Sequence, residues 1–149
     1  MRNERGSLMK KIICVILLVC IFPACAFALD LSEFNLFAAV VGVPELTGGK
    51  TSGNYTGFVQ DDCFIYFDES GGKLSGIYIE GKGDTFLAYC CAAIHVFDKN
   101  GKTTVNHGQL LTMYLMAHTE TEHQTGQTTN GVAFFVEPSE KGYTFMIGE

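Results

Sequence analysis

The chain has 149 residues, of which 47% are hydrophobic and 17% charged, and its 10 basic and 16 acidic residues give a formal charge of −6 at pH 7. This length predicts a single domain with one hydrophobic core. Beyond residue 28 the chain has no arginine and only six lysines against fifteen acidic residues, so its net charge is −9. This composition excludes nucleic-acid binding, because that function needs clustered lysine and arginine.

The first 28 residues have the pattern of a secretory signal peptide. Basic residues precede an unbroken apolar run at 12–29, and Ala26-Phe27-Ala28 supplies small residues for cleavage. Two alternatives are an uncleaved membrane anchor, since the run is about long enough to cross a bilayer, and a lipoprotein modified at Cys25. We expect cleavage near Ala28, a secreted or cell-envelope location, and one small domain at 29–149.

A helix is expected directly after this segment. Asp30 is a good N-cap, Glu33 is its capping-box partner, and Gly42 followed by Pro44 ends the helix. Its apolar residues repeat at helical spacing and are Phe34, Phe37, Ala38 and Val41. The next segment, 47–57, is polar and rich in glycine, which predicts a loop.

The middle of the chain predicts a long β-hairpin. Residues 57–68 have the pattern of one strand, 69–73 of a turn and 74–80 of the returning strand. Alternation places one set of side chains on the same face of both strands, namely Cys63, Ile65, Phe67, Ile77 and Ile79. We expect this face to pack against the helix that follows.

That helix is predicted over 85–97 from apolar residues at helical spacing, with Asp84 as its N-cap. Residues 94–105 also fit a hairpin around Asn100-Gly101. The alanines between 88 and 93 favour the helix over the hairpin.

The rest of the chain predicts a further helix, a loop and a second hairpin. The helix spans 106–118, and the polar segment 119–130 has no periodicity. Apolar runs at 131–137 and 143–147, joined by the turn at 138–142, form the hairpin. Together these elements predict an α+β fold in which an antiparallel sheet of about four strands, from two β-hairpins, packs against two or three α-helices in two layers.

Three cysteines lie beyond the signal segment: Cys63, Cys90 and Cys91. An exported chain meets an oxidising environment, so we expect a disulfide that joins Cys63 to Cys90 or Cys91, because neighbouring cysteines on one helix rarely bond to each other. The alternative is three buried apolar thiols.

Two pairs of residues have the right types for catalysis or metal binding. Cys91 and His95 are four positions apart on the helix, but apolar neighbours raise the pKa of such a thiol and leave it a poor nucleophile. His118 and His123 flank two glutamates at a spacing that matches no established zinc signature. We therefore expect no enzyme activity, cofactor or metal; a small hydrolase that uses either pair is the alternative function.

The candidate binding surface is the other face of the long hairpin. Alternation points Phe64, Tyr66 and Tyr78 away from the helix-covered face, and we call these three residues the aromatic strip. Exposed apolar patches usually mark partner or ligand sites, although the first helix could cover the strip as a third layer. We expect a non-catalytic exported domain that binds a protein, a peptide or a small apolar ligand through this face or its loops.

Overall fold

The computed structural model describes residues 30–98 and 124–149. This part of the chain contains two helices, α1 at 30–40 and α2 at Gly83–Phe97, and neither has the length and apolar character that a membrane span requires. The seven strands are β1 Lys50–Ser52, β2 Tyr55–Gln60, β3 Cys63–Ser70, β4 Lys73–Gly81, β5 Gln124–Gln127, β6 Ala133–Ser139 and β7 Gly142–Gly148. They form one antiparallel sheet in the order β1-β2-β3-β4-β7-β6-β5.

The segment 57–68, predicted as one strand, is divided by a hairpin turn into parts of two strands. β2 ends at Gln60 and β3 begins at Cys63, while Asp61 and Asp62 between them have φ of 48° and 63°. Two successive positive φ values are what the tightest hairpin turns require, and aspartate tolerates them better than most residues. The two aspartates therefore turn the chain at a place where the apolar pattern suggests a continuous strand.

Two further strands lie in segments that the sequence predicts as loops. β1 falls inside 47–57 and β5 inside 119–130. Both are short polar strands at the edges of the sheet, and every residue of β1 is exposed. An edge strand pairs on one side only, so backbone hydrogen bonds can hold it with little apolar burial. The predicted fold of about four strands packed against two or three helices is therefore wrong: the described part of the chain is mostly sheet, with seven strands and two helices.

The predicted facing of the central hairpin is confirmed. Ile65 pairs with Ile79 and Phe67 with Ile77 across β3 and β4, and these side chains are buried together with Cys63. The predicted second hairpin is present as β6 and β7. Its buried residues extend the same layer and are Phe134, Val136, Phe145 and Ile147. We call this helix-covered side the inner face of the sheet.

Both described helices pack on the inner face. The fully buried ring of Phe34 on α1 has its centroid 5.2 Å from that of Phe67 on β3 and 6.0 Å from that of Tyr89 on α2. Aromatic pairs attract at these separations. α1 ends as predicted, since Gly42 has φ of 82° and the Val43 amide donates to the carbonyl of residue 38 at 3.0 Å.

The helix predicted at 85–97 is confirmed, and residues 94–97 belong to it rather than to a hairpin. Its N-cap is Lys82 and not Asp84, because the chain already enters the helix at Gly83, which has φ of 75°. Asp84 lies in the first turn, where its carboxylate complements the helix dipole. The predicted signal peptide at 1–28 and the helix predicted at 106–118 lie outside the described residues.

Side-chain hydrogen bonds that the sequence patterns do not reveal fix the segment after α1. The Asn35 amide donates to the Leu46 carbonyl at 3.0 Å, and its oxygen accepts from the Leu46 amide at 2.8 Å. The Tyr89 hydroxyl donates to the Pro44 carbonyl at 2.8 Å. These contacts hold the segment against α1 and α2 and bring Leu46 into the core.

Candidate functional site

The outer face of the sheet carries the aromatic strip. Tyr66 on β3 and Tyr78 on β4 are direct cross-strand partners, and their ring centroids are 5.9 Å apart. Tyr66 is 40% exposed, whereas Phe64 and Tyr78 are half-buried. The register that buries Ile65 and Phe67 on the inner face therefore sets all three aromatic rings on the outer face.

The described part of α1 does not cover the strip. Its buried Phe34 packs on Phe67, which points to the inner face, and its Phe37 ring stacks on His95 of α2 at 4.5 Å. α1 is thus a neighbour of α2 in the same layer. The third-layer arrangement considered from the sequence does not hold for this helix.

One end of the strip is occupied by a lysine of the chain itself. Phe64 pairs across the strands with Glu80. The Lys141 ammonium, from the turn between β6 and β7, lies 3.9 Å from the Phe64 ring centroid and 3.3 Å from Glu80 Oε2. The cation–π contact with the ring and the ion pair with the carboxylate both stabilise an ammonium in this position. The outer face therefore already binds one cation.

The other end of the strip borders an open depression of about 360 Å³. Its lining consists of Tyr55, Tyr66, Asp68, Gly76, Ile77, Tyr78, Met146 and Ile147. Tyr55 is 55% exposed and Met146 40% exposed. The depression is accordingly rich in tyrosine, carries one carboxylate, and has no lysine, arginine or histidine among its described lining residues.

Sequence reasoning missed two exposed members of this depression, Tyr55 and Met146. Tyr55 reaches it because β2 pairs with β3 and sets Tyr55 opposite Asp68. Met146 reaches it because β4 pairs with β7, which is distant in sequence, and sets Met146 opposite Tyr78. Alternation within β7 could have placed Met146 on the outer face, but no local signal identifies the strand beside it.

A glycine in β2 makes room for the most exposed ring of the strip. Gly57 is the cross-strand partner of Tyr66, and a Cβ atom at Gly57 would lie 2.9 Å from the Tyr66 ring. Glycine inside a strand often marks such a close approach. One edge of the Tyr66 ring therefore lies close to the β2 backbone, and the ring lines the depression.

The Cys91 and His95 pair lacks the geometry of a catalytic dyad. Burial raises the pKa of the Cys91 thiol to about 11, so the thiol is protonated at neutral pH. The His95 Nε2 lies 3.5 Å from a Glu33 carboxylate oxygen, and His95 Nδ1 is buried with no hydrogen-bond partner. No hydrogen bond thus joins these two described side chains, and the imidazole is held between α1 and α2.

The three cysteines are free thiols, and the predicted bridge from Cys63 to Cys90 or Cys91 is not formed. Cys63 on β3 and Cys90 on α2 are both buried in the core. Burial raises the pKa of the Cys63 thiol, with a further contribution from the charge of Asp61, and burial raises the pKa of Cys90 as well. The alternative of apolar thiols agrees with this arrangement.

The described residues contain no cluster of three or more histidine, cysteine, aspartate or glutamate side chains that could hold a metal ion. The candidate pair His118 and His123 lies outside those residues. No protein-family model, curated protein or solved structure matches the chain. The candidate site is therefore the aromatic strip with its adjoining depression on the outer face.

Proposed function

We propose that the chain is an exported, non-catalytic domain that recognises a protein partner through the outer face of its sheet. The observation that carries this proposal is the Tyr66 and Tyr78 pair, which lies on the face opposite both described helices with Tyr66 40% exposed. Tyrosine offers a large apolar ring and a polar hydroxyl at low entropic cost, which is why recognition surfaces use it often. The signal-peptide pattern at 1–28 supports export.

A protein or peptide suits this face better than an enclosed small molecule does. Small-molecule sites bury most of their ligand in a cleft, whereas the depression beside the strip is open to solvent. The strip continues from this depression to Phe64 along one strand, so it offers an extended contact. Val59 on neighbouring β2, which is 69% exposed, widens the apolar area.

The hydrolase alternative has less support. A nucleophilic thiol needs a lowered pKa and a base in contact with it, and Cys91 has a pKa raised to about 11 by burial. His95 contacts Glu33 and Phe37 instead. We therefore favour binding without catalysis.

The proposal is tested by selecting binding peptides from a random display library on the immobilised chain. We expect the selected peptides to lose at least tenfold in affinity for the double variant Y66S/Y78S, since each buried aromatic anchor contributes on the order of 1–2 kcal/mol to binding. Circular dichroism and thermal unfolding would check that the variant keeps the fold.

The matched control is the double variant L36S/V40S. Leu36 and Val40 are 69% and 74% exposed on α1, away from the outer face of the sheet. Peptides that bind through the aromatic strip should bind this variant as they bind the wild type. Equal loss in both variants, or selection of no peptide that depends on Tyr66 and Tyr78, would contradict the proposal.

A further inference from the structure

We propose that the depression beside the aromatic strip binds a lysine side chain of the protein partner, with the ammonium placed between the tyrosine rings and the Asp68 carboxylate. This inference rests on the proposed function and names the chemistry that the outer face recognises.

The sheet itself provides a precedent for this binding mode. Lys141 lies with its ammonium 3.9 Å from the Phe64 ring centroid and 3.3 Å from the carboxylate of Glu80. Phe64 and Glu80 are cross-strand partners on the outer face. One aromatic ring and one carboxylate, held side by side by β3 and β4, thus both contact a lysine on this surface.

The same combination recurs farther along the two strands, without a lysine of the described chain. Tyr66 and Tyr78 are the next outward-facing pair after Phe64 and Glu80, about 7 Å along the strand. The pair after them sets Asp68 opposite Gly76, which has no side chain to fill the space. The depression lies at this point and contains both tyrosines and Asp68.

The charge of the depression also selects a cation. Asp68 is the sole charged residue among its described lining residues. Within the described ranges no hydrogen bond or ion pair engages the Asp68 carboxylate, so it is available to a ligand. The faces of tyrosine rings attract cations through their quadrupoles, and the acidic chain, at −6 overall, attracts a basic partner at long range.

The contact also suits the shape of a lysine. Its four-carbon stem can lie along apolar surface while the ammonium reaches polar partners. The Met146 side chain and the tyrosine rings supply apolar lining, and Asp68 supplies the polar partner. The depression therefore matches both parts of the side chain.

The experiment is an NMR titration of the full chain with three peptides that differ at one position. The probes are acetyl-Ser-Thr-Lys-Thr-Ser-amide and its analogues with acetyl-lysine or norleucine in place of lysine, which keep the stem and remove the charge. We expect the lysine peptide to shift the amide resonances of Tyr66, Asp68 and Tyr78. Its Kd should be about fivefold or more below those of both neutral analogues, since cation–π and exposed charge contacts add.

The variant D68N should abolish the preference for lysine, while E45Q, which removes an exposed carboxylate elsewhere, should preserve it. Equal Kd values for the three peptides, or a preference that survives in D68N, would overturn the lysine assignment and leave the proposed function standing. Failure of every peptide to shift these resonances would overturn the lysine assignment as well. The proposed function fails as well only if the display selection also yields no binder that depends on Tyr66 and Tyr78.

Discussion

Tyr66 and Tyr78 face each other across β3 and β4 on the outer side of the sheet, with ring centroids 5.9 Å apart. The same two strands bury the neighbouring pairs on the inner side. Because side chains alternate along a strand, one register fixes both the core and the exposed aromatic pair. A shift of one residue would exchange the two faces, so the hydrophobic core holds the candidate binding surface in place.

The substitution Gly57→Ala should displace the Tyr66 ring. A Cβ atom at Gly57 would lie 2.9 Å from that ring, and the exposed tyrosine can move outward more easily than the backbone can. We expect weaker binding of strip-dependent peptides, while the free energy of unfolding changes by less than about 1 kcal/mol. NMR contacts between the Tyr66 and Tyr78 rings, together with urea unfolding, would measure both effects. Unchanged ring contacts would contradict this prediction, and V40A serves as the control, since Val40 is 74% exposed on α1.

The substitution Phe34→Ala should strongly destabilise the fold. The Phe34 ring is fully buried between Phe67 and Tyr89, so truncation leaves a cavity between α1, α2 and the sheet. Loss of a buried phenylalanine costs about 3–5 kcal/mol. Denaturant unfolding would measure this, with L36A as the control, since Leu36 is 69% exposed on the same helix. Similar small effects for both variants would argue against the packing of α1 on the inner face.

The substitution Tyr89→Phe removes one hydrogen bond and leaves the buried ring in place. The Tyr89 hydroxyl donates to the Pro44 carbonyl at 2.8 Å, and such a bond contributes about 0.5–1.5 kcal/mol. We expect the free energy of unfolding to fall by that amount in a thermal or urea experiment. Tyr143→Phe, at a half-buried ring without this bond, should have little effect. An equal loss in the two variants would refute the role of the hydrogen bond.

Stability should fall at alkaline pH. Burial raises the pKa of Cys91 from 9.0 to about 11 in the folded chain, so the folded state holds this proton more tightly than the unfolded state does. The resulting stabilisation is complete below pH 9 and is lost as the pH rises from 9 to 11, by at most about 1.4 kcal/mol per pH unit. Urea midpoints measured across this range should decline less steeply in C91A. Identical slopes in the two proteins would count against the burial of this thiol.

The periodic parts of the fold could be predicted from the sequence. Strict alternation in β3 and β4 identified the inner face, including Ile65 and Ile79, and the same alternation set Tyr66 and Tyr78 together on the other side. Helical spacing and the Gly42 stop signal identified α1. These features depend on contacts within one helix or between two consecutive strands, and such contacts leave a periodic pattern of apolar residues in the sequence.

The missed features depend on chemistry that the local pattern does not record. Asp61 and Asp62 form a tight turn without the usual glycine, so two strands were predicted as one. β1 and β5 are held by backbone pairing at the sheet edges and need no apolar signature. The depression requires β4 beside β7, a pairing between distant segments, and Met146 was therefore missed. The disulfide prediction rests on the oxidising compartment and on the strain between adjacent cysteines, but the core accommodates Cys63 and Cys90 as thiols.

Site-specific photo-crosslinking in the medium and envelope of the producing cells would show whether a partner protein contacts the aromatic strip. One photoreactive residue would replace Val59, which is 69% exposed on the outer face, and in a second protein it would replace Val40, which is 74% exposed on α1. We expect a discrete crosslinked protein from position 59 that disappears when Tyr66 and Tyr78 are changed to serine, and no such product from position 40. A partner captured only from position 40, or one captured from position 59 regardless of the two tyrosines, would contradict recognition through the aromatic strip.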